Sequence, residues 1–218
     1  MKDTIFALST VPGLSAISVF RISGPNAFLV LKKITKAKVP ENRFASLRRI
    51  FWEEEIIDKC IVIAFNGNDS YSGEKTVEIH CHGSIAIINK IASILTQCGS
   101  ELNIRPAEEG EFTRQAFYNG KMDLIQVEGL SDLLRAETEA QRRISFDSLD
   151  GVVSKKVGVW KSKIMSILAF LEADIDFNDQ DLGDVGVLSM ISDLLELLKK
   201  ELDNFKGVRP IKEGLNIA

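Results

Sequence analysis

The pattern of apolar and polar positions changes near residue 120. Before that point, apolar runs of strand length alternate with segments of helical periodicity. After a first strand and turn near the N-terminus, the pattern predicts strands over residues 16–22, 50–52, 58–65, 76–81 and 101–105, and helices over 26–34 and 85–97, with Gly99 capping the second helix. We therefore expect residues 1–120 to form an α+β domain, in which helices pack on a mixed sheet.

After Asp123 the apolar residues recur every three or four positions, as in amphipathic helices. The pattern predicts one helix over residues 124–149 that ends at Gly151, followed by two longer helices. Their apolar stripes are Val153, Val157, Trp160, Ile164, Ile167 and Leu171, and then Leu188, Ile191, Leu194, Leu195, Leu198, Leu202 and Phe205. Because each stripe needs a partner, we expect residues 121–207 to form an all-α bundle.

Three charged residues stand alone among apolar or turn residues and are candidates for a binding site. Arg21 ends the apolar strand 16–22, and Glu78 lies on the polar face of the alternating strand 76–81, opposite the face of Val77. Lys121 follows an Asn-Gly turn and precedes a capping box formed by Asp123 and Gln126. A lysine beside the positive end of a helix is well placed to hold an anion such as a ligand carboxylate.

Each of these charges also has an ordinary interpretation. Glu78 is then a solvent-facing strand residue, Lys121 a loop lysine, and Arg21 a surface arginine or a member of a structural salt bridge. Residue type alone favours the ordinary interpretation.

Composition excludes several classes of protein. A net charge of −4 and a pI near 5.4 argue against a surface built throughout to hold nucleic acid. No stretch approaches the roughly 20 apolar residues needed to cross a bilayer. The three cysteines are widely spaced, which indicates a reducing compartment such as the cytoplasm. Seven basic residues form one cluster in the sequence: Lys32, Lys33, Lys36, Lys38, Arg43, Arg48 and Arg49. The cluster is interpreted as a solvated helix face and loop, and the alternative is a surface that contacts RNA phosphates.

Two segments invite a metal-site interpretation that their spacing does not support. The acidic segment 174–184 begins like a calcium loop, but Asp179 stands where glycine is required and Val185 where the bidentate glutamate should be. His80 and His82 share one strand face, yet two ligands do not complete a zinc site. We therefore expect no metal in this chain.

Six stretches of the chain resemble the MnmE family, also called TrmE, of tRNA-modification GTPases. They are DTIFALST from Asp3, FRISG from Phe20, YSGEKTVEIHCHG from Tyr71, GEFTRQAFYNGKMDL from Gly110, AETEAQRR from Ala136 and EADIDF from Glu172. Three places depart from the family pattern: Leu14-Ser15 replaces arginine-glycine, Ser84 a glycine, and Glu109 a proline.

The resemblance implies a folate-binding, homodimer-forming domain over residues 1–120, similar in fold to the tetrahydrofolate domain of glycine-cleavage aminomethyltransferases. In the family, 5-formyltetrahydrofolate lies against the residues that correspond to Arg21, Glu78 and Lys121. A carboxylate suits the aminopyrimidinone edge of the pterin, and Arg or Lys suits the glutamate tail. We expect no catalytic residue in this chain.

The resemblance further implies that the helical domain, 121–207, is incomplete and that residues 208–218 lead into a GTPase domain. No GxxxxGK[ST] pattern occurs in the sequence. We therefore expect GTP hydrolysis, with its K⁺ and Mg²⁺, to belong to a longer protein. That protein would act on the wobble uridine of tRNA with the FAD-containing partner MnmG. In an incomplete bundle, Leu194, Leu198 and Leu202 are expected to be exposed. The alternatives are a purely structural dimerisation module and a metalloenzyme built on His80 and His82.

Overall fold

The chain is divided into two units, Met1–Met122 and Asp123–Ala218. The computed structural model describes residues 3–176 and 186–213, the last nine of them by their backbone alone. Among the described residues, no helix is both long and apolar enough to cross a membrane.

The first unit is built on a six-stranded mixed sheet in the order β3-β4-β5-β2-β1-β6. The pairing of β1 with β6 is parallel, and the other neighbouring pairs are antiparallel. The α+β class predicted from the sequence is therefore confirmed. The strands are β1 (Thr4–Leu8), β2 (Ser15–Ser23), β3 (Ser46–Trp52), β4 (Glu55–Phe65), β5 (Thr76–Gly83) and β6 (Ile104–Pro106).

Two helices, α1 (Ala27–Thr35) and α2 (Ile85–Gln97), cover one face of this sheet and form the core with it. The unit also contains α3 (Gly99–Leu102) and α4 (Glu111–Tyr118). Val77, Ile79 and Cys81 of β5 are buried in the core cluster, together with residues of α1 and α2 such as Leu31 and Ile94. The predicted alternation of β5 is thus confirmed, and Glu78 and His80 point to the other face of the sheet, which we call the outer face.

The segment after α2 differs from the prediction. Gly99 does not cap α2: the helix ends at Gln97 with Cys98 as its C-cap, and Gly99 opens the short helix α3, which includes Glu101 of the predicted strand. The chain leaves α3 through Asn103 in the left-handed conformation (φ 49°), and the strand begins only at Ile104. A Cβ on Gly99 would lie 2.8 Å from the Ile104 carbonyl oxygen, so glycine is needed for this close approach and not for a cap.

The predicted turn between α4 and the next helix, α5 (Leu124–Leu134), is confirmed in detail. Gly120 is left-handed (φ 68°), its amide donates to the Phe117 carbonyl, and the Lys121 amide donates to the Ala116 carbonyl. These two bonds form a complete Schellman motif. Asp123 then caps α5 in a capping box with Gln126, as predicted. Lys121 is thereby held between two defined helix ends.

The second unit contains α5 (Leu124–Leu134), α6 (Glu139–Leu149), α7 (Val152–Asp176) and α8 (Val187–Glu213). The prediction of one helix over 124–149 is wrong, because Thr138 caps a new helix in a capping box with Gln141. Gly151 follows α6 with φ 80°, as expected for a helix end.

The last helix extends further than predicted. It runs to Glu213, so residues 208–213 of the predicted linker are helical, while 214–218 lie outside the described residues. Leu194 is buried, against the prediction, whereas Leu202 is exposed and Leu198 partly so. Most of the acidic segment 174–184 lies outside the described residues, and its interpretation as a metal-free connector stays a prediction.

Candidate functional site

Two of the three candidate charges meet on the outer face of the sheet. The register of β2 and β5 places Arg21 directly opposite Glu78. Nε and Nη2 of Arg21 donate to Oε1 of Glu78 at 3.1 and 2.8 Å. The side chains are 24% and 19% exposed, so the pair is partly shielded from water and still accessible to a ligand.

Two aromatic rings flank the Arg21 guanidinium. Its central carbon lies 5.1 Å from the centre of the Tyr71 ring and 5.5 Å from that of Phe112, within the range of cation–π contacts. The Tyr71 hydroxyl hydrogen-bonds to the Thr113 hydroxyl at 2.8 Å, which links the loop before β5 to α4. The ion pair therefore has aromatic side chains beside it.

His80 extends this site along β5. Its Nε2 lies 3.5 Å from Oε2 of Glu78, the oxygen that Arg21 does not use. Within the described residues, this nitrogen is buried and has no hydrogen-bond partner. A buried polar atom without a partner is costly, so a polar ligand group placed here would be favoured.

Lys121 contacts the loop before β5 rather than the ion pair. It is exposed, and its Nζ donates to the Asn68 carbonyl at 2.6 Å. Gly73 (φ 77°) lies beside it, since a Cβ there would be 3.2 Å from Cγ of Lys121. The structure thus brings Arg21 and Glu78 together and links Lys121 to them through the loop that carries Tyr71.

A buried polar cluster fixes the position of this loop. The Ser72 hydroxyl bonds to those of Ser23 at 2.7 Å and Thr76 at 3.1 Å, and the Ser23 hydroxyl donates to Gln115 at 2.8 Å. The Asn119 amide donates to the Ser72 carbonyl at 2.8 Å. Strand β2, the loop and α4 are therefore held together beneath the site before any ligand binds.

The network that begins α4 is a second charged cluster. Glu111 is buried and accepts two hydrogen bonds from Arg105, at 2.9 and 2.7 Å, and one from the Glu108 amide at 2.8 Å. The hydrogen bonds from Arg105 lower the pKa of Glu111 to about 2, although burial opposes the shift. Arg105 also donates to Asp3. This cluster attaches α4, which carries Phe112, to β6 and to the start of β1.

His82 has a different partner from His80, which separates the two histidines that the sequence suggested as a metal pair. Nδ1 of His82 lies 2.7 Å from Oδ1 of Asp58, and the His82 amide donates to Oδ2 at 2.9 Å. Burial by itself raises the pKa of Asp58, but the hydrogen bonds from His82, Lys59 and Cys60 together outweigh it, so the pKa lies below its usual range. In the part of the chain that the structure describes, no group of three or more His, Cys, Asp or Glu side chains is arranged to hold a metal ion.

The arrangement can bind a flat polar ligand. Glu78 offers acceptor oxygens for N–H groups, Arg21 keeps donors for an anion, and Tyr71 and Phe112 supply apolar surface. The sequence pattern points to Arg21 and Glu78, but not to the aromatic rings beside Arg21 or to the proximity of His80 and Glu78. Their positions within the quoted stretches YSGEK, GEFTR and VEIHCHG were the available signal.

Comparison with known proteins covers both units. A family profile described as the N-terminus of the GTP-binding protein TrmE matches residues 4–121, and one described as the MnmE helical domain matches residues 124–216.

Relatives agree with the profiles along nearly the whole chain. The tRNA modification GTPase MnmE of Cereibacter sphaeroides is 39% identical over 220 residues, which is 99% of this chain and 50% of the relative. That of Roseobacter denitrificans is 41% identical over 221 residues, with the same coverage. The mitochondrial 5-taurinomethyluridine-[tRNA] synthase subunit GTPB3 of Danio rerio is 41% identical over 93% of this chain and 40% of its own length. The chain spans about half the length of these relatives, and it belongs to the MnmE (TrmE) family of tRNA modification GTPases.

Proposed function

We propose that this chain is the folate-binding and dimer-forming part of a tRNA modification GTPase. The observation that carries the proposal is the Arg21–Glu78 pair with Tyr71 and Phe112 beside it. The unpartnered Nε2 of His80 next to Glu78 also fits a ligand rich in polar ring atoms. A reduced folate such as 5-formyltetrahydrofolate has such a ring, a glutamate tail and a flat apolar surface.

Glu78 is the group that selects the pterin in this proposal. Arg21 uses one of its oxygens, and the other faces His80, so the carboxylate retains lone pairs for paired N–H donors on a heterocycle. Arg21 and Lys121 supply the positive charge for the tail. Among the described residues, the Lys121 ammonium group donates only to a backbone carbonyl, and a ligand carboxylate is a stronger partner for it.

The outer face of the sheet supports the dimer. Leu47, Ile61 and His80 lie side by side on adjacent strands, and Ile17 lies next to His82. Ile17, Leu47 and Ile61 are 58%, 55% and 45% exposed. An apolar sheet face left open to water favours a protein partner, and a second copy of this domain is the partner that we propose.

The remaining roles belong to the longer protein. Relatives about twice as long as this chain are named tRNA modification GTPases. We propose that the complete protein hydrolyses GTP with K⁺ and Mg²⁺, works in the cytoplasm with the FAD protein MnmG, and modifies the wobble uridine of tRNA at C5. The one-carbon unit would come from the folate bound in this chain.

Calorimetric titration with 5-formyltetrahydrofolate tests the binding site. We expect saturable binding that Arg21→Ala, Glu78→Ala and Lys121→Ala each weaken about tenfold or more, since a hydrogen bond to a charged group contributes roughly 1.5–3 kcal/mol. Lys90→Ala, elsewhere in the same unit, is the matched control and should bind normally.

Two results would contradict this assignment. Unchanged affinity in all three variants would place the ligand elsewhere. No binding by the unsubstituted chain would favour the alternative, in which Arg21 and Glu78 form a structural ion pair within a module that only dimerises.

A further inference from the structure

Positive charge is concentrated in one short segment of an otherwise acidic chain. Residues 27–49 contain seven of the 27 lysines and arginines but only one acidic residue, Glu41, although the whole chain carries −4. This segment comprises α1, the loop that follows it and most of β3. It lies apart from the Arg21–Glu78 pair in sequence and is not used by the proposed folate site.

Part of this segment encloses a cleft of about 570 Å³. Phe28 and Lys32 of α1 form one side, the loop residues Lys38, Val39, Pro40 and Asn42 another, and Ala64 and Asn66 the end of β4. A volume of this size is typical of small-ligand pockets and is sufficient for one nucleotide.

Hydrogen bonds hold the loop side of the cleft in place. The Arg43 amide donates to the Ala64 carbonyl at 2.8 Å, and the Asn66 amide donates to Oδ1 of Asn42 at 2.8 Å. Nδ2 of Asn42 donates to Oδ2 of Asp69 at 2.7 Å. The loop is therefore tied through Asn42 and Arg43 to the end of β4 and to the segment that follows it.

Two lysines that line the cleft, and a third, Lys75, that lies beside its Phe28 ring, have no acidic partner among the described residues. Lys32, Lys38 and Lys75 are exposed and, among the described residues, no carboxylate lies within 4 Å of their ammonium groups. By contrast, Lys33 pairs with Glu101 and Lys36 pairs with Glu54. Of the four lysines in α1 and the loop after it, the two that line the cleft are thus the two without a carboxylate partner among the described residues.

An aromatic ring completes the site. Phe28 lines the cleft and is only partly buried, and the ammonium group of Lys75 lies 5.7 Å from its ring centre. Basic side chains around a partly exposed aromatic ring are the usual means of binding single-stranded RNA, in which bases can leave the stack. Val39 and Pro40 add apolar surface that a base stacked on Phe28 could also contact.

We propose that this cleft binds a single-stranded RNA segment, with phosphates on Lys32, Lys38 and Lys75 and one base against Phe28. The inference rests on the proposed role in tRNA modification and adds to it a contact surface for the RNA. A wobble uridine lies in a single-stranded loop, which is the form of RNA that such a cleft accommodates.

Fluorescence anisotropy with a labelled RNA hairpin that has an anticodon-like loop tests the proposal, and a blunt RNA duplex is the comparison ligand. The cleft variant is Lys32→Gln/Lys38→Gln, and the matched control is Lys33→Gln/Lys36→Gln, which removes the same charge from the same helix and loop. We expect the cleft variant to bind the hairpin about tenfold more weakly and to lower the slope of log K against log salt by about 1.4, or 0.7 for each lost phosphate contact. The control should keep the slope of the unsubstituted chain.

Cross-linking gives a second measurement that does not depend on affinity. Hairpin RNA carrying 4-thiouridine in its loop should cross-link, on irradiation, to the peptide that contains Phe28 or to the one that contains Val39 and Pro40. Equal weakening by both double variants, cross-links elsewhere, or equal binding of duplex and hairpin would overturn the proposal. Absence of hairpin binding by the unsubstituted chain would overturn it as well. None of these results affects the folate titration, and the wobble nucleosides of cells that carry the full-length protein report separately on tRNA modification.

Discussion

At the residue scale, the sequence revealed which charges are unusual but not what they contact. Arg21 and Glu78 could be selected because each stands alone in a strand pattern, and the pairing of β2 with β5 brings them together. Tyr71 and Phe112 come from a loop and from α4, so their place beside Arg21 depends on tertiary structure that no local pattern encodes. The same holds for Asp58, whose position in a strand gave no hint of its contact with His82.

Because of Glu111, the free energy of unfolding of the first unit should decrease at acidic pH. Its pKa is lowered from 4.5 to about 2 in the folded chain, mainly by Arg105. A lowered pKa stabilises the fold above pH 4.5, and this contribution is lost as pH falls from 4.5 towards 2. We expect Glu111→Gln to lower the free energy of unfolding by about 2 kcal/mol at pH 7, and by progressively less at lower pH. Urea unfolding at several pH values provides the measurement.

Glu139 is the matched control for this prediction. The hydrogen bonds from Arg142 and then Arg143 lower its pKa to about 2 as well, but the side chain is exposed, so water and salt screen the pairs. Glu139→Gln should change stability far less than Glu111→Gln. Equal effects of the two substitutions would show that burial of Glu111 has no part in its contribution.

The stability of the first unit should depend on the charge of Asp58, so that even Asp58→Asn, which keeps the shape of the side chain, is destabilising. Oδ1 accepts from the Lys59 amide and Nδ1 of His82, while Oδ2 accepts from the His82 amide and the Cys60 thiol. Asp58→Asn places an NH₂ group against donors on one side, and we expect a loss of about 1–3 kcal/mol in unfolding free energy. Asp123→Asn is the control, because Asn and Asp cap helices about equally well. A thermal shift no larger for Asp58→Asn than for Asp123→Asn would contradict this account.

At the element scale, the sequence predicts the start of a helix where the capping signal stands alone, but not where that signal competes with apolar periodicity. The capping box of Asp123 follows a turn and is visible in the sequence, whereas the equivalent box of Thr138 lies inside a segment whose apolar spacing favours one continuous helix. Glycine is common at the ends of helices, and the sequence therefore predicts a cap at Gly99, yet in the fold Gly99 lets the Ile104 carbonyl approach. Caps and periodicity are encoded locally, but close contacts between elements are not.

Two helical glycines in the second unit should respond in opposite directions to the same substitution. A Cβ on Gly129 would lie 2.7 Å from the Leu149 amide nitrogen and 2.8 Å from Cβ of Ser148, where α5 crosses α6. Gly129→Ala should therefore destabilise the unit by about 1–3 kcal/mol through overpacking. At Gly158 in α7 nothing lies within 4 Å of the added Cβ. Gly158→Ala should stabilise the helix by about 0.5–1 kcal/mol, because alanine has the higher helix propensity.

Tryptophan fluorescence can follow this unit alone. The sequence contains two tryptophans, Trp52 in β3 and Trp160 in α7, so a Trp52→Phe background leaves Trp160 as the reporter. Both glycine variants are then compared by urea unfolding in that background. Destabilisation of similar size in both would show that the crossing at Gly129 tolerates a methyl group and that backbone effects dominate.

At the scale of the whole molecule, the sequence predicted an α+β unit and a helical segment because their hydrophobic periods differ. It could not predict which face of the sheet stays open, since Ile17 and Ile61 read as ordinary strand residues and Leu47 precedes the predicted strand 50–52. The strand order places Ile61 between Leu47 and His80, and the core helices lie on the opposite face. The exposed apolar surface is thus a property of the assembled sheet and not of any one strand.

This surface should hold two copies of the chain together. Burying an exposed isoleucine side chain contributes about 1.5–3 kcal/mol, and a carboxylate in its place would be buried without a partner. Ile61→Asp should consequently give the mass of a monomer in light scattering at micromolar concentration, where the unsubstituted chain gives that of a dimer. Because Ile61 is 45% exposed within one chain, the substituted domain should keep its fold and its circular dichroism spectrum.

Leu134→Asp, at an 80% exposed position at the end of α5, is the control and should remain dimeric. If the Ile61→Asp variant is still a dimer, the interface lies on another surface. If the unsubstituted chain is a monomer, the partner of this apolar face is a different protein and not a second copy of the chain.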